Sequence, residues 1–165
     1  MSDPGRYAAL HAIGRAVLAE LARDYAVTTE TTTEPDGRGG PAPAVRLVPA
    51  DRDAAPLTMV FDGRPALRVR LGGTELTLPH CRCDACAETV EECAAELRTH
   101  VTALTAGTFG ERLVRDGGWW HERWYRAGDE KGSSRTRLRR AERAALRERL
   151  PGGERRWAPW PRRTR

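Results

Sequence analysis

Lysine is nearly absent from this chain: Lys131 is the one lysine among 28 basic residues, and the others are arginines. Aromatic residues make up only 6% of the 165 residues, and there are four histidines. The arginine bias accompanies many alanines and glycines, which is typical of a GC-rich coding sequence. The number of arginines by itself therefore does not indicate a function.

Long apolar runs are missing as well. Near the N-terminus, the stretch Ala16–Ala19 is ended by Glu20, which argues against a signal peptide. No segment approaches the roughly 18 apolar residues that cross a bilayer. We therefore expect a cytoplasmic protein with no membrane partner, in a compartment where thiols stay reduced.

Common catalytic motifs are also absent from the sequence. It contains no G-x-S-x-G and no H-E-x-x-H, and the segment Gly128–Ser134 lacks the spacing of a phosphate-binding loop. The histidines are scattered, and no paired carboxylates flank a recognisable cleft. These absences favour a non-catalytic domain that binds an unidentified protein partner, with no cofactor required.

The elements that are present predict an α+β domain. Hydrophobic residues make up 39% of the chain and charged residues 31%, a globular composition. Residues 1–150 are expected to form one domain, with a flexible loop at 27–44, and residues 151–165 a basic tail. Periodicity predicts an antiparallel sheet of about six strands with helices packed on it. The predicted order is a helix at 3–25, strands at 45–48, 57–61, 66–71 and 74–78, a helix at 90–107, strands at 109–114 and 119–126, and a helix from Ser133 or Ser134 to Leu150.

Four cysteines lie close together between the fourth strand and the second helix. Cys81, Cys83 and Cys86 could bind zinc with His80 as the fourth ligand. Alternatively, Cys83 and Cys86 form a C-x-x-C redox pair at a helix start, or the cysteines simply pack as small apolar residues. Cys93 lies on the apolar stripe of the second helix and is expected in the core.

Positive charge is concentrated at the C-terminal end. Residues 131–165 contain 13 basic and three acidic residues, whereas residues 1–130 have a net charge of −5. A basic segment of this kind contacts phosphates or an acidic protein surface, or else it is simply solvated. Arginine and tryptophan are interleaved here, so weak nucleic-acid binding is one hypothesis, and packing of both tryptophans onto the domain is the preferred one. The candidate contact residues are Arg155, Arg156, Trp157, Trp160, Arg162 and Arg163.

A second group of tryptophans lies in the predicted strand 119–126. Alternation along that strand places Trp120, Glu122 and Trp124 on one face and Trp119 and His121 on the other. Burial in the core is the simpler interpretation of these rings. An aromatic binding face is the alternative, because large amphipathic rings are favoured in recognition sites.

Several of these segments resemble a known family. The run His80–Cys86, the helix end Thr105–Phe109, the opening Asp3–Tyr7 and the run Val45–Pro49 are similar to a family of small actinobacterial proteins of unknown function. The resemblance covers roughly residues 3–127, and Cys-x-Cys-Asp-Ala-Cys is its most specific element. In that family glycine usually occupies the position of Arg82, and a cysteine at position 93 is not part of the pattern. The resemblance implies no activity.

Overall fold

A computed structural model describes residues 5, 7–63, 66–81 and 88–164 of the chain. Within these residues the chain forms an α+β structure with two antiparallel sheets, which confirms the predicted class. The elements in chain order are α1 (Ala9–Asp24), β1 (Val27–Pro35), β2 (Pro41–Pro49), β3 (Leu57–Phe61), β4 (Leu67–Leu71), β5 (Thr74–Leu78), α2 (Val90–Ala106), β6 (Phe109–Arg115), β7 (Trp119–Ala127), β8 (Glu130–Arg137), α3 (Arg140–Arg149) and β9 (Glu154–Arg156).

The chain divides into two compact units. The first consists of Met1–Arg98 and Trp160–Arg165, and it contains the first sheet, in the order β1-β2-β3-β4-β5. Leu47, Leu57 and Leu71 pair across three of these strands, and all three are buried. Helix α1 packs on this sheet through Gly14, because a Cβ there would lie only 3.1 Å from Leu67. The core of the first unit is thus apolar.

The prediction of a flexible loop at residues 27–44 is wrong. Residues Val27–Pro35 form β1, which pairs along its whole length with β2. Between the two strands, the Asp36 carboxylate accepts hydrogen bonds from the backbone N–H groups of Arg38 and Gly40 and so closes the turn. Threonine-rich sequence lacks an apolar alternation, yet threonine is β-branched and suits a solvent-exposed edge strand. Pairing with β2 supplies the hydrogen bonds.

The second unit is Thr99–Pro159, and its sheet has the order β8-β7-β6-β9. The expectation of a single sheet of about six strands is therefore wrong: the described residues form nine strands in two sheets. Strand β8 was missed because its residues are almost all exposed and polar, and only pairing with β7 makes them a strand. For the same reason α3 begins at Arg140 rather than at Ser133 or Ser134.

Helix α2 has the predicted ends. The Thr89 hydroxyl accepts a hydrogen bond from the Glu92 N–H, and the Glu92 carboxylate accepts one from the Thr89 N–H, so the two residues form a capping box. Gly107 follows the helix with φ of +66°, a backbone conformation that favours glycine. Among the described residues, no helix is both long enough and apolar enough to cross a membrane.

Candidate functional site

The second sheet has two chemically different faces. Residues directly opposite one another on neighbouring strands share a face, and the register therefore groups the side chains. One group, here called the arginine–tryptophan face, has six basic residues, two acidic residues and two tryptophans. Its members are Arg112, Trp120, Glu122, Trp124, Arg126, Lys131, Arg135, Arg137, Glu154 and Arg156.

Trp124 lies at the centre of the arginine–tryptophan face. Gly110 is its cross-strand partner, and a Cβ at that glycine would lie 2.4 Å from the indole ring, so the ring lies directly over the neighbouring strand. The guanidinium groups of Arg112 and Arg156 are each 5.8 Å from the ring centre. Trp124 is half-buried, so part of its surface remains accessible. The interpretation of this ring as a fully buried core residue is thus wrong.

A cavity of about 400 Å³ opens beside Trp124. Two serines and the tryptophan contribute to its lining, together with several charged residues. The charged residues are Arg112, Arg123, Arg135, Arg156 and Glu122. The side chain of Arg123 belongs to the opposite face, because Arg123 pairs with Glu111 and alternates with Trp124 along β7. The other three arginines against one glutamate make this cavity positively charged, and its volume lies within the range typical of small-ligand sites.

Ion pairs hold part of this charge in place. Glu122 accepts a hydrogen bond from Arg112 at 2.7 Å, and it lies 3.4 Å from the Nε of Arg135. Arg135 also donates to Asp116 and lies 4.6 Å from the centre of the Trp120 ring. The guanidinium groups are therefore oriented, while the Arg112 side chain remains 50% exposed and that of Arg156 76% exposed.

The opposite face of the second sheet is covered by helix α3. Glu111 is fully buried there, and it accepts hydrogen bonds from both terminal nitrogens of Arg149. His121 Nε2 lies 2.7 Å from the same carboxylate. Burial by itself would raise the pKa of Glu111, but His121 and Arg149 lower it to about 2. The buried group is consequently a carboxylate at neutral pH.

Sequence reasoning missed Glu111 and most arginines of the arginine–tryptophan face, of which it singled out only Arg156, as a residue of the basic tail. Glu111 and Arg149 are 38 residues apart, and neither belongs to a motif. The alternation in β7 did predict that Trp120, Glu122 and Trp124 share a face, and this is confirmed. The sequence does not reveal the strand register, and it is this register that brings Arg112, Arg135 and Arg156 beside these residues.

The tail tryptophans are part of the packed structure. Trp157 is 9% exposed and stacks on Phe109 within the second unit, with ring centres 6.4 Å apart. Trp160 is 3% exposed within the first unit, and its indole N–H donates to the Ala55 carbonyl oxygen. Neither ring is open to a nucleic-acid base, which supports the packing interpretation over the stacking one.

The arginines of the tail fall into two places. Arg155 lies 3.9 Å from the Trp157 ring, and Arg156 belongs to the arginine–tryptophan face. Arg162 lies over the Tyr25 ring at 4.5 Å and forms an isolated β-bridge with the same residue. The backbone N–H of Arg163 donates to the Asp24 carbonyl oxygen. Strand β9 and Arg163 are therefore held by backbone hydrogen bonds.

The cysteine segment is described only at its ends. Cys83 and Cys86, the proposed redox pair and zinc ligands, lie outside the described residues, so both interpretations stay predictions. Cys81 is half-buried and directly follows His80. Cys93 is fully buried, as predicted, and burial and the neighbouring carboxylate raise the pKa of its thiol to about 12.

His80 lies beside two glutamates of the first unit. Its Nδ1 is 3.4 Å from Glu88 Oε1 and 3.4 Å from Glu96 Oε2. Burial raises the pKa of Glu88, but hydrogen bonds from Cys93 and from both the ring and the backbone N–H of His80 lower it overall. The sequence analysis paired His80 with cysteines and did not single out either glutamate.

Together these observations define an α+β protein with two antiparallel sheets, one of which has a basic aromatic face. The chain belongs to a family of unknown function, DUF6226, whose model matches residues 1–164. The expected membership in a family of unknown function is thereby confirmed, whereas the actinobacterial origin and the cysteine pattern stay predictions. No curated protein and no solved structure matches the chain.

Proposed function

We propose that this protein is a non-catalytic binding domain for single-stranded nucleic acid, and that its docking surface is the arginine–tryptophan face. The observation that carries the proposal is the cavity beside Trp124, where Arg112, Arg135 and Arg156 of the arginine–tryptophan face line a site with a partly accessible indole ring. Such a site offers positive charge for a phosphate and an aromatic surface for a base.

Charge complementarity supports a polyanionic partner. Six basic residues against two acidic ones give the face a net charge of +4, within a chain of net charge +5. Arginine is suited to this role because its planar guanidinium donates two parallel hydrogen bonds to a phosphate. Contacts of this kind make affinity fall steeply with salt concentration.

The aromatic side chains favour single-stranded nucleic acid over a duplex as the ligand. Bases of a single strand are free to stack on aromatic rings, and stacking tolerates every base because each one has a π face. Part of the Trp124 indole lies against Gly110, and because the ring is only half-buried, its accessible part is the candidate stacking surface. Guanidinium groups near the ring add cation–π contacts.

This proposal differs from nucleic-acid binding by the tail alone. Of the six tail residues singled out in the sequence, Arg156 belongs to the face, whereas Trp157 and Trp160 are buried elsewhere. Deleting residues after 153 would remove β9 and both buried tryptophans, Trp157 and Trp160, and would therefore test folding rather than binding. Single substitutions on the face are the cleaner test.

Fluorescence anisotropy with a labelled oligothymidine and the matching oligouridine tests the proposal. We expect Trp124→Ala to weaken binding about 5- to 150-fold, which corresponds to the roughly 1–3 kcal/mol of one stacked base. Arg156→Ala is expected to weaken binding and to reduce the slope of log affinity against log salt by about one unit. Circular dichroism checks that each variant is folded.

Matched controls are available in the same chain. Trp119→Ala removes a half-buried ring from the opposite face of the same strand, and Arg46→Ala removes an exposed arginine from the first sheet. Both are expected to bind like the wild type. The proposal is overturned if the folded wild type does not bind either oligonucleotide at low salt, or if Trp124→Ala and Trp119→Ala bind equally well. Tighter binding to the matching duplex would also contradict it.

A further inference from the structure

We propose that His80, Glu88 and Glu96 together form a zinc-binding site in the first unit, separate from the arginine–tryptophan face. One ligand atom from each residue lies within 4.8 Å of the other two. Imidazole nitrogen and carboxylate oxygen are both common zinc ligands. The site differs from the one suggested by the cysteine motif, because two glutamates replace cysteines as ligands.

The fold brings these three side chains together from two directions. His80 follows the end of β5, and Glu96 lies on α2 one helical turn after Cys93. Glu88 lies just before the capping box that starts α2. The phenolic O–H of Tyr7, from the segment before α1, donates to the carbonyl oxygen of Glu88 and holds the backbone there.

The distances suit tetrahedral zinc. With Zn–N and Zn–O bonds of about 2.0–2.1 Å, two ligand atoms at the tetrahedral angle lie about 3.3 Å apart. Both separations from His80 Nδ1, to Glu88 Oε1 and to Glu96 Oε2, are 3.4 Å. A metal ion can therefore be accommodated with side-chain movements of a few tenths of an ångström for these two pairs.

Neighbouring groups orient the Glu88 carboxylate. The backbone N–H of His80 donates to its Oε2 at 2.9 Å, and the Cys93 thiol donates to its Oε1 at 3.4 Å. Hydrogen bonds from groups behind the ligands are a regular feature of metal sites, because they fix the direction of the ligand lone pairs. Cys93 thus has a positioning role here, which simple core packing would not require.

The cysteine segment lies between two of the proposed ligands in the sequence. Cys81 is the residue after His80, and the segment that contains Cys83 and Cys86 connects His80 to Glu88 in the sequence. Three protein ligands leave a fourth position, which a water molecule would complete.

Zinc titration of the full-length protein against a chromophoric chelator tests the site. Glu96→Gln preserves the shape of the side chain while removing its charge, and we expect at least about tenfold weaker zinc binding. Glu91→Gln, at an exposed position in the first turn of the same helix, is the matched control and is expected to bind like the wild type. His80→Gln is expected to weaken binding as Glu96→Gln does.

X-ray absorption at the zinc edge separates this site from a cysteine site. We expect mainly nitrogen and oxygen ligands near 2.0–2.1 Å and at most one sulfur near 2.3 Å. Three or more sulfur ligands, or zinc binding unchanged in both Glu96→Gln and His80→Gln, would overturn the proposal. Absence of stoichiometric zinc binding by the folded protein would overturn it too, and would make the cluster an ion-pair network.

Discussion

The two sheets of this protein use their residues in opposite ways. In the first sheet every residue of β3 is buried, and β4 alternates buried Leu67, Val69 and Leu71 with partly exposed arginines. In the second sheet no residue of β7 is fully buried, and nearly all of β8 is exposed. The first sheet therefore builds an apolar core, whereas the second presents polar and aromatic side chains.

The difference shows where binding can occur without loss of stability. Burial of apolar surface, at roughly 25 cal/mol per Å², is the main source of folding free energy, and the leucine row of the first sheet supplies it. The arginine–tryptophan face contributes little apolar burial, so its substitution is expected to change binding far more than stability. The buried charges of Glu111 and Arg149, on the reverse face of the second sheet, are an intermediate case.

The largest loss of stability is expected from a truncation in the apolar core of the first sheet. Leu57 is fully buried between Leu47 and Leu71, and Leu57→Ala is expected to lower the free energy of unfolding by about 3 kcal/mol, within the 2–5 kcal/mol usual for such truncations. Urea denaturation measures the change. Arg46→Ala, on the same sheet with a 47% exposed side chain, should change it by less than about 0.5 kcal/mol. Equal effects would contradict the comparison.

A smaller effect is expected from the charged interior of the second unit. Glu111→Gln removes the charge that Arg149 and His121 contact, and should lower the free energy of unfolding by about 2 kcal/mol. This is less than the 3–5 kcal/mol typical for breaking a fully buried pair, because the Arg149 side chain remains 40% exposed. Urea denaturation again gives the value, and a stability equal to that of the wild type would refute the structural role of Glu111.

The smallest expected effect is the pH dependence of the stability that the ionised Glu111 contributes. Since the pKa of Glu111 is lowered from 4.5 to about 2, its stabilising contribution is complete above about pH 4.5 and is lost as the pH falls toward 2. Glu111→Gln should remove this part of the acid destabilisation. The test compares urea denaturation curves of both proteins over that range. A constant difference between them throughout the range would show that folding does not lower the pKa of Glu111.

Much of the fold was predictable where local pattern and burial agree. Strands β3 and β5 have the bounds that alternation predicts, and α2 covers the predicted helix to within one residue. The prediction failed where a strand is exposed. In β1 and β8 few side chains are buried, so periodicity is weak and cross-strand hydrogen bonds alone define the element.

The candidate sites were less predictable than the fold. The sequence of β7 alone predicts that Trp120 and Trp124 share a face, because successive side chains of a strand point to opposite faces whatever the tertiary structure. The zinc hypothesis did select His80 from the sequence. Its proposed partners Glu88 and Glu96 lie eight and 16 residues away, across a strand end and a helix, so no local spacing rule connects them.

The sequence by itself determined the α+β class, the amphipathic helices and the apolar strands, because each depends on the periodicity of side chains within one segment. Tertiary structure alone decided which arginines surround Trp124, which groups neutralise Glu111 and which carboxylates face His80. These pairings depend on strand register and helix packing, which juxtapose residues far apart in the chain. Register is set by the burial and hydrogen bonding of whole elements, and no single residue carries that information.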